Sequence, residues 1–186
     1  MRDVQAARGT SVARRLGATI GSPSRFRAVW ACVAALGLAL DVVTKVVAVN
    51  QLEPGQPVRL VGGLLTLRLI RNAGAAFSQG ERFTPIFAVA AVLVLAFVAF
   101  RLVPRLGHGG WAVALGLLCA GVAGNLTDRL FRSPGVLRGH VVDFLQLPHW
   151  PIFNVADMCI TSAAVMVVIL AVVKSVGVDG RRGVRD

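Results

Sequence analysis

A chain of 186 residues that is 55% hydrophobic and 16% charged, with mean hydropathy +0.70, is too apolar for a soluble domain of its size, in which charged residues take about a quarter of positions. The net charge of +11 does not indicate nucleic acid, because the basic residues gather at the ends of apolar segments instead of forming a stripe interleaved with aromatics. Cys32, Cys119 and Cys159 sit in apolar sequence without a CxxC pair and read as packing residues, while His108, His140 and His149 are scattered, so no metal and no cofactor is expected.

In chain order, residues 1–27 form a basic segment carrying Arg2, Arg8, Arg14, Arg15, Arg25 and Arg27, expected to be a mobile cytoplasmic tail. The apolar run that follows looks like a signal peptide, but it contains Asp41 and Lys45 and lacks a convincing cleavage site, so it is taken as a retained first span at about 28–49. Asp41 and Lys45 stand at i, i+4 and should form a mutual, supporting pair. Val58 to Val61 and Leu64 to Asn72 read as two extended segments around Gly62-Gly63, a ribbon lying on the membrane surface. Asn72-Ala73-Gly74-Ala75-Ala76-Phe77 offers an amide followed by small residues that permit close backbone approach to a bound chain.

Three more windows are long enough to cross a hydrocarbon core of about 30 Å, at 83–103, 111–130 and 151–173. The second span has no polar chemistry from Ile86 to Phe100 and reads as scaffold. The third carries Gly116, Ala120 and Gly124 at four-residue spacing, a seam for close helix approach. Residues 174–186 form a basic C-terminal tail. The fold class is therefore an all-α polytopic membrane protein, four transmembrane helices with a small extracytoplasmic β-ribbon, and residues 28–173 are its functional domain. Placing both termini in the cytoplasm puts the N-terminal arginines, Arg101, Arg105, Lys174, Arg181, Arg182 and Arg185 inside, more than lie outside. Asp41, Asp128, Asp143 and Asp157 then converge on the outer face.

Those acids need a reason, since a charged Asp at the centre of a membrane helix costs roughly 2.5 to 3.5 kcal/mol. Asn125 and Asp128 stand at i, i+3, as do Asn154 and Asp157, and Asn125 and Arg129 at i, i+4. Asp128, followed by Arg129, has a local partner and reads as structural; Asp143 and Asp157 have no adjacent cation. Two carboxylates brought close hold one proton between them, and such a pair can cleave an amide, one as base on water and the other as acid toward the carbonyl. Alternatively, the acids pair with Arg129, Lys45 or helix N-termini and only hold the bundle together. A proton-coupled transporter would also use intramembrane Asp and Asn residues, but no polar path crosses the second span. A purely structural subunit would not need Asn72, Asn125 and Asn154 beside the acids.

Five motifs resemble one family. Asp41-Val42-Val43-Thr44-Lys45, the Asn72 to Phe77 stretch, Gly124-Asn125-Leu126-Thr127-Asp128-Arg129, Val141-Val142-Asp143-Phe144 and Phe153-Asn154-Val155-Ala156-Asp157 are similar, in family order, to those of bacterial lipoprotein signal peptidase, or signal peptidase II. The resemblance leaves out only the two tails. It implies an aspartic endopeptidase of the bacterial cytoplasmic membrane, inhibited by globomycin, that removes the signal peptide from diacylglyceryl-modified prolipoproteins by cleaving before the lipidated Cys. Carried over, Asp143 and Asp157 match the catalytic pair. Asn72, Gly74, Asn125, Arg129 and Asn154 match the substrate-site motifs, and Asp41, Lys45 and Asp128 match supporting positions. The implied partners are prolipoproteins and membrane lipid, with no nucleic acid, and a monomer is expected.

Overall fold

The computed structural model describes residues 23–74 and 80–182. Residues 1–22, and Ala75-Ala76-Phe77 of the Asn72 motif, lie outside the described residues. Among the described residues four helices are long and apolar enough to cross a membrane: α1 (Pro23–Gln51), α2 (Gly80–Phe97, running on through a π turn to Leu102), α3 (Gly109–Phe131) and α4 (Val155–Val168, extended by a π turn to Val173). Their outward side chains are apolar, as at Leu36, Leu93, Phe100 and Val172, a surface suited to lipid and unsuited to water.

α3 is the centre of the bundle, with 56% of its apolar window buried against 17–22% for the other three. The reason is its stripe of small residues. Gly116 lies against Val33 and the Trp30 carbonyl, Ala120 against Gly37, and Gly124 against the Asp41 carboxylate. Both series rise by four residues per step, so α1 and α3 run parallel with their backbones in close approach. On another side of α3, Gly121 meets the Ala156 carbonyl and Ile160, which seats the start of α4 at the level where Asp41 leaves α1.

The extramembrane part is a three-stranded antiparallel sheet, where the sequence suggests two extended segments. β1 (Val58–Leu60) pairs with β2 (Leu65–Asn72), and β2 pairs with β3 (Val141–Gln146). Gly62 and Gly63, both at positive φ, turn the chain between β1 and β2. The third strand is the apolar run around Asp143. Two adjoining strands alone would be marginal, and β3 supplies what they lack, burying Val142 and Phe144 with Leu69 and Ala48. The bulge between Leu67 and Ile70 shifts the register so that Ile70 faces Asp143 and Asn72 faces Val141.

At the opposite end of the bundle, residues 174–182 are folded against the body of the protein and do not form an extended tail. The Trp111 indole donates to the Val176 carbonyl at 2.9 Å and the Gly107 amide to the Val178 carbonyl at 3.0 Å. Val176 joins the main core with Leu106, Trp111, Leu115 and Leu170.

Candidate active site

The start of α4 is set by its cap. Asn154 takes an extended backbone conformation, its side-chain oxygen accepts from the Asp157 amide at 3.0 Å, and the Asp157 carboxylate accepts from the Asn154 amide at 3.1 Å. This reciprocal capping box stops the helix at Val155, although the apolar window begins at residue 151. It also fixes the Asp157 side chain at the rim of the bundle with its second oxygen accepting from the Asn125 amide at 3.0 Å.

Asp143 comes from the other side, on β3, and is almost fully buried. One of its oxygens accepts from the Asn72 amide at 2.8 Å and the other from the Asn154 amide at 2.6 Å. Asn72 is itself aimed by a short turn in which its side-chain oxygen accepts from the Gly74 amide at 2.8 Å. Gly74 sits at φ 105°, a conformation that a side chain rarely permits, so the turn needs glycine there. Thr84, on α2, fastens the same loop by donating to the Ala73 carbonyl at 2.6 Å.

Asn154 therefore lies between the two candidate acids, touching both. Burial pushes the Asp143 carboxyl up to about 6, with the Asp157 charge adding to the rise; hydrogen bonds from Asn72 and Asn154 and the Lys45 charge act in the opposite direction. Asp157, by contrast, is only half-buried.

Beneath this pair is an ionic layer. Lys45 is 1% exposed and reaches three partners: Asp41 at 2.8 Å, Asp128 at 2.9 Å and the Asn125 side-chain oxygen at 3.0 Å. Asp41 also accepts from the Ala156 amide at 2.8 Å, satisfying one of the free N–H groups at the start of α4. Asp128 accepts from the Val142 amide at 3.2 Å and so ties the strand bearing Asp143 to α3. The pairing of Asp128 with Arg129 expected from the sequence is not formed. Asp128 pairs with Lys45 and Arg132, because consecutive residues on a helix diverge whereas i and i+4 share a face. Arg129 turns instead to the Asn125 carbonyl at 3.1 Å and lies 5.7 Å over the Phe87 ring, within electrostatic reach of Asp128, Asp143 and Asp157.

The structure thus joins every candidate of the sequence reading, Asp41, Lys45, Asn72, Gly74, Asn125, Asp128, Arg129, Asp143, Asn154 and Asp157, into one contiguous cluster. Three members escape that reading: Arg132, Thr84 and Phe87. Arg132 had a usable signal, since Asp128 and Arg132 stand at i, i+4 with the acid N-terminal. Thr84 and Phe87 had none, as both lie in the apolar second span, which read as scaffold. The exposed Cys32 is the exception to the packing role foreseen for the cysteines; Cys119 and Cys159 are buried.

The family model described as signal peptidase (SPase) II matches residues 33–173, a stretch containing the whole cluster. A lipoprotein signal peptidase of Mycobacterium avium (strain 104) is 49% identical over 140 residues, covering 75% of this chain and 76% of that protein. Another, from Rhodococcus jostii (strain RHA1), is 45% identical over 152 residues, covering 82% and 76%. A solved bacterial membrane enzyme, determined by the in meso method at 2.3 Å resolution, superposes with a TM-score of 0.67 at 27% identity, covering 83% of this chain and 93% of its own. Four apolar helices and a membrane enzyme of the same fold make this a multi-pass membrane protein, and the match over residues 33–173 makes the chain a peptidase of the signal peptidase II family.

Proposed function

We propose that the chain is an aspartic endopeptidase of the bacterial cytoplasmic membrane that removes signal peptides from diacylglyceryl-modified prolipoproteins, cleaving before the lipidated Cys. Its similarity to proteins named lipoprotein signal peptidase supports the substrate class. The observation that carries the chemistry is the charge balance of the cluster. Asp41, Asp128, Asp143 and Asp157 oppose Lys45, Arg129 and Arg132, so four negative charges meet three positive ones and a single proton makes the cluster neutral. Asp143, the more buried acid, takes that proton; Asp157, more open and held by two N–H donors, stays ionised.

In this reading Asp157 removes a proton from water as its oxygen attacks the scissile carbonyl carbon, while Asp143 gives its proton to the carbonyl oxygen. The tetrahedral diol then returns a hydroxyl proton to Asp143. The proton on Asp157 passes to the leaving nitrogen, and the C–N bond breaks to give a carboxyl-terminated signal peptide and a free amine on the lipidated Cys. Asn72, Asn125 and Asn154 hold the two carboxylates in place. The buried Nε of Arg129 lacks a hydrogen-bond partner among the described residues and is the donor for a substrate carbonyl. Gly74 lets the substrate backbone approach. In this reading one chain holds the full set of groups, the enzyme acts as a monomer, and its site stands at the extracytoplasmic face. The signal peptide is itself an apolar helix and the acyl chains stay in lipid, so the substrate need not leave the bilayer.

The test is cleavage of a synthetic diacylated prolipoprotein peptide by the purified full chain in detergent, with and without a chelator and with globomycin. Cleavage blocked by globomycin and indifferent to chelator is expected. Loss of cleavage with chelator would overturn the acid pair, and no cleavage by folded protein would return the transporter reading.

A further inference from the structure

The sheet carries a second feature, on the side away from the dyad. Thr66 pairs with Arg59 and with Gln146, so these three side chains share one face. Asp143, three positions before Gln146 on β3, points to the other. On the Thr66 face an open recess of about 540 Å³ is lined by Arg59, Thr66, Arg68, Gln146 and His149, with Gly62 and Gly63 of the turn also in its wall. Among the described residues, none that lines it is acidic. Two guanidiniums and an imidazole with no counter-charge in the lining make a recess complementary to an anion.

The residues next in sequence to this lining have the opposite character. Val61 and Leu64, the residues flanking the glycine turn, are 75% and 61% exposed, and Trp150, next to His149, is 62% exposed. Large apolar side chains beside a cationic recess suit neither a soluble metabolite nor an acidic peptide. They suit a molecule with an anionic head and an apolar body, and an exposed Trp outside the helices is placed where headgroups meet hydrocarbon.

We propose that this recess binds the phosphate of an anionic phospholipid, with Arg59 and Arg68 on the phosphate oxygens and Val61, Leu64 and Trp150 against the glycerol and upper acyl chains. Bound there, the lipid holds the sheet, and with it the strand bearing Asp143, at a fixed depth at the membrane surface. The site is separate from the dyad and stands or falls independently of the catalytic reading.

The experiment uses the full chain in lipid-free detergent, with phosphatidylglycerol as the probe and phosphatidylcholine and inorganic phosphate as controls. Retention by native mass spectrometry and the shift in melting temperature are read together. One high-affinity phosphatidylglycerol is expected, with no effect of phosphatidylcholine or of inorganic phosphate. The double variant Arg59→Gln/Arg68→Gln should weaken it by at least about tenfold, as removal of charge-assisted hydrogen bonds to phosphate requires. Both residues are exposed, so the variant's own melting temperature should match that of the parent. Arg101→Gln/Arg105→Gln, at the far end of the bundle, should leave the affinity unchanged. Equal protection by inorganic phosphate would show a free-anion site, and equal loss in the Arg101/Arg105 variant would show unspecific lipid contact; either result, or no loss in the Arg59/Arg68 variant, overturns the proposal.

Discussion

Asp143 and Asp157 are held by different means: Asp143 lies buried on a strand, and Asp157 stands half-buried in the capping box of α4. Asp143 is buried behind two amide donors and pushed up to about 6, so in the free enzyme it is protonated below that pH and ionised above it. The proposed mechanism needs one proton on the pair. The value of kcat/KM should therefore fall as pH rises through about 6, and fall again in acid as the pair takes up a second proton, with both apparent values belonging to the pair. A kcat/KM that is flat from pH 5 to 8, with chemistry rate-limiting, would contradict this. Asp128 belongs to the ionic layer and should behave otherwise. Asp128→Asn leaves Lys45 and Arg132 short of a carboxylate in a buried setting, which costs about 3–5 kcal/mol. A large drop in melting temperature in detergent with turnover retained is the expected result. The supporting pair Asp41–Lys45 was legible in the sequence because i, i+4 on a helix is a geometric statement. The partner of Asp128 was misread because adjacency in sequence is not adjacency on a helix.

Two elements that place the acids depend on glycine, one a helix and one a turn. Gly124 lets α3 come so close to α1 that an added Cβ would meet the Asp41 carboxylate, which is pinned by Lys45 and the Ala156 amide and cannot give way. Gly124→Ala should cost about 1–3 kcal/mol, read as a lower melting temperature. Gly74→Ala should act on rate more than on stability. At φ 105° it opens the turn that points Asn72 at Asp143, and a displaced carboxylate can lower kcat by up to about 100-fold. A Gly74→Ala enzyme with unchanged single-turnover rate would show that the turn does not aim the site. The long elements were readable from apolar length and the small-residue seam. β3 was not, since Val141-Val142-Asp143-Phe144-Leu145 has no clean alternation: its two faces are a hydrophobic cluster and a hydrogen-bonded acid, and both are buried. The early stop of α4 was hidden for a similar reason, because the capping box outweighs the apolar residues that precede it.

At the scale of the whole molecule, α1, α3, α4 and the sheet each deliver part of one polar cluster to the same end of an apolar bundle. The convergence of acids was visible in the sequence once the spans were placed; the single buried Lys45 that joins three of the polar groups was not, since it depends on α1 and α3 running parallel in contact. If the cluster faces outward, an engineered cysteine at Gln56 should react with an impermeant label on intact cells, and labelling only after permeabilisation would reverse the topology. Of the four acids, Asp143 and Asp157 are proposed to do the chemistry while Asp128 holds the frame. Single-turnover cleavage of a diacylated prolipoprotein peptide by the Asp128→Asn, Asp143→Asn and Asp157→Asn variants, at matched folded concentration, separates these roles. Asp143→Asn and Asp157→Asn should each lose roughly 1,000-fold or more, within the range for removing a general acid or base, while Asp128→Asn keeps measurable turnover. An Asp128→Asn enzyme as inactive as Asp157→Asn yet fully folded, beside an active Asp143→Asn, would contradict the account and put Asp128 in the place of Asp143.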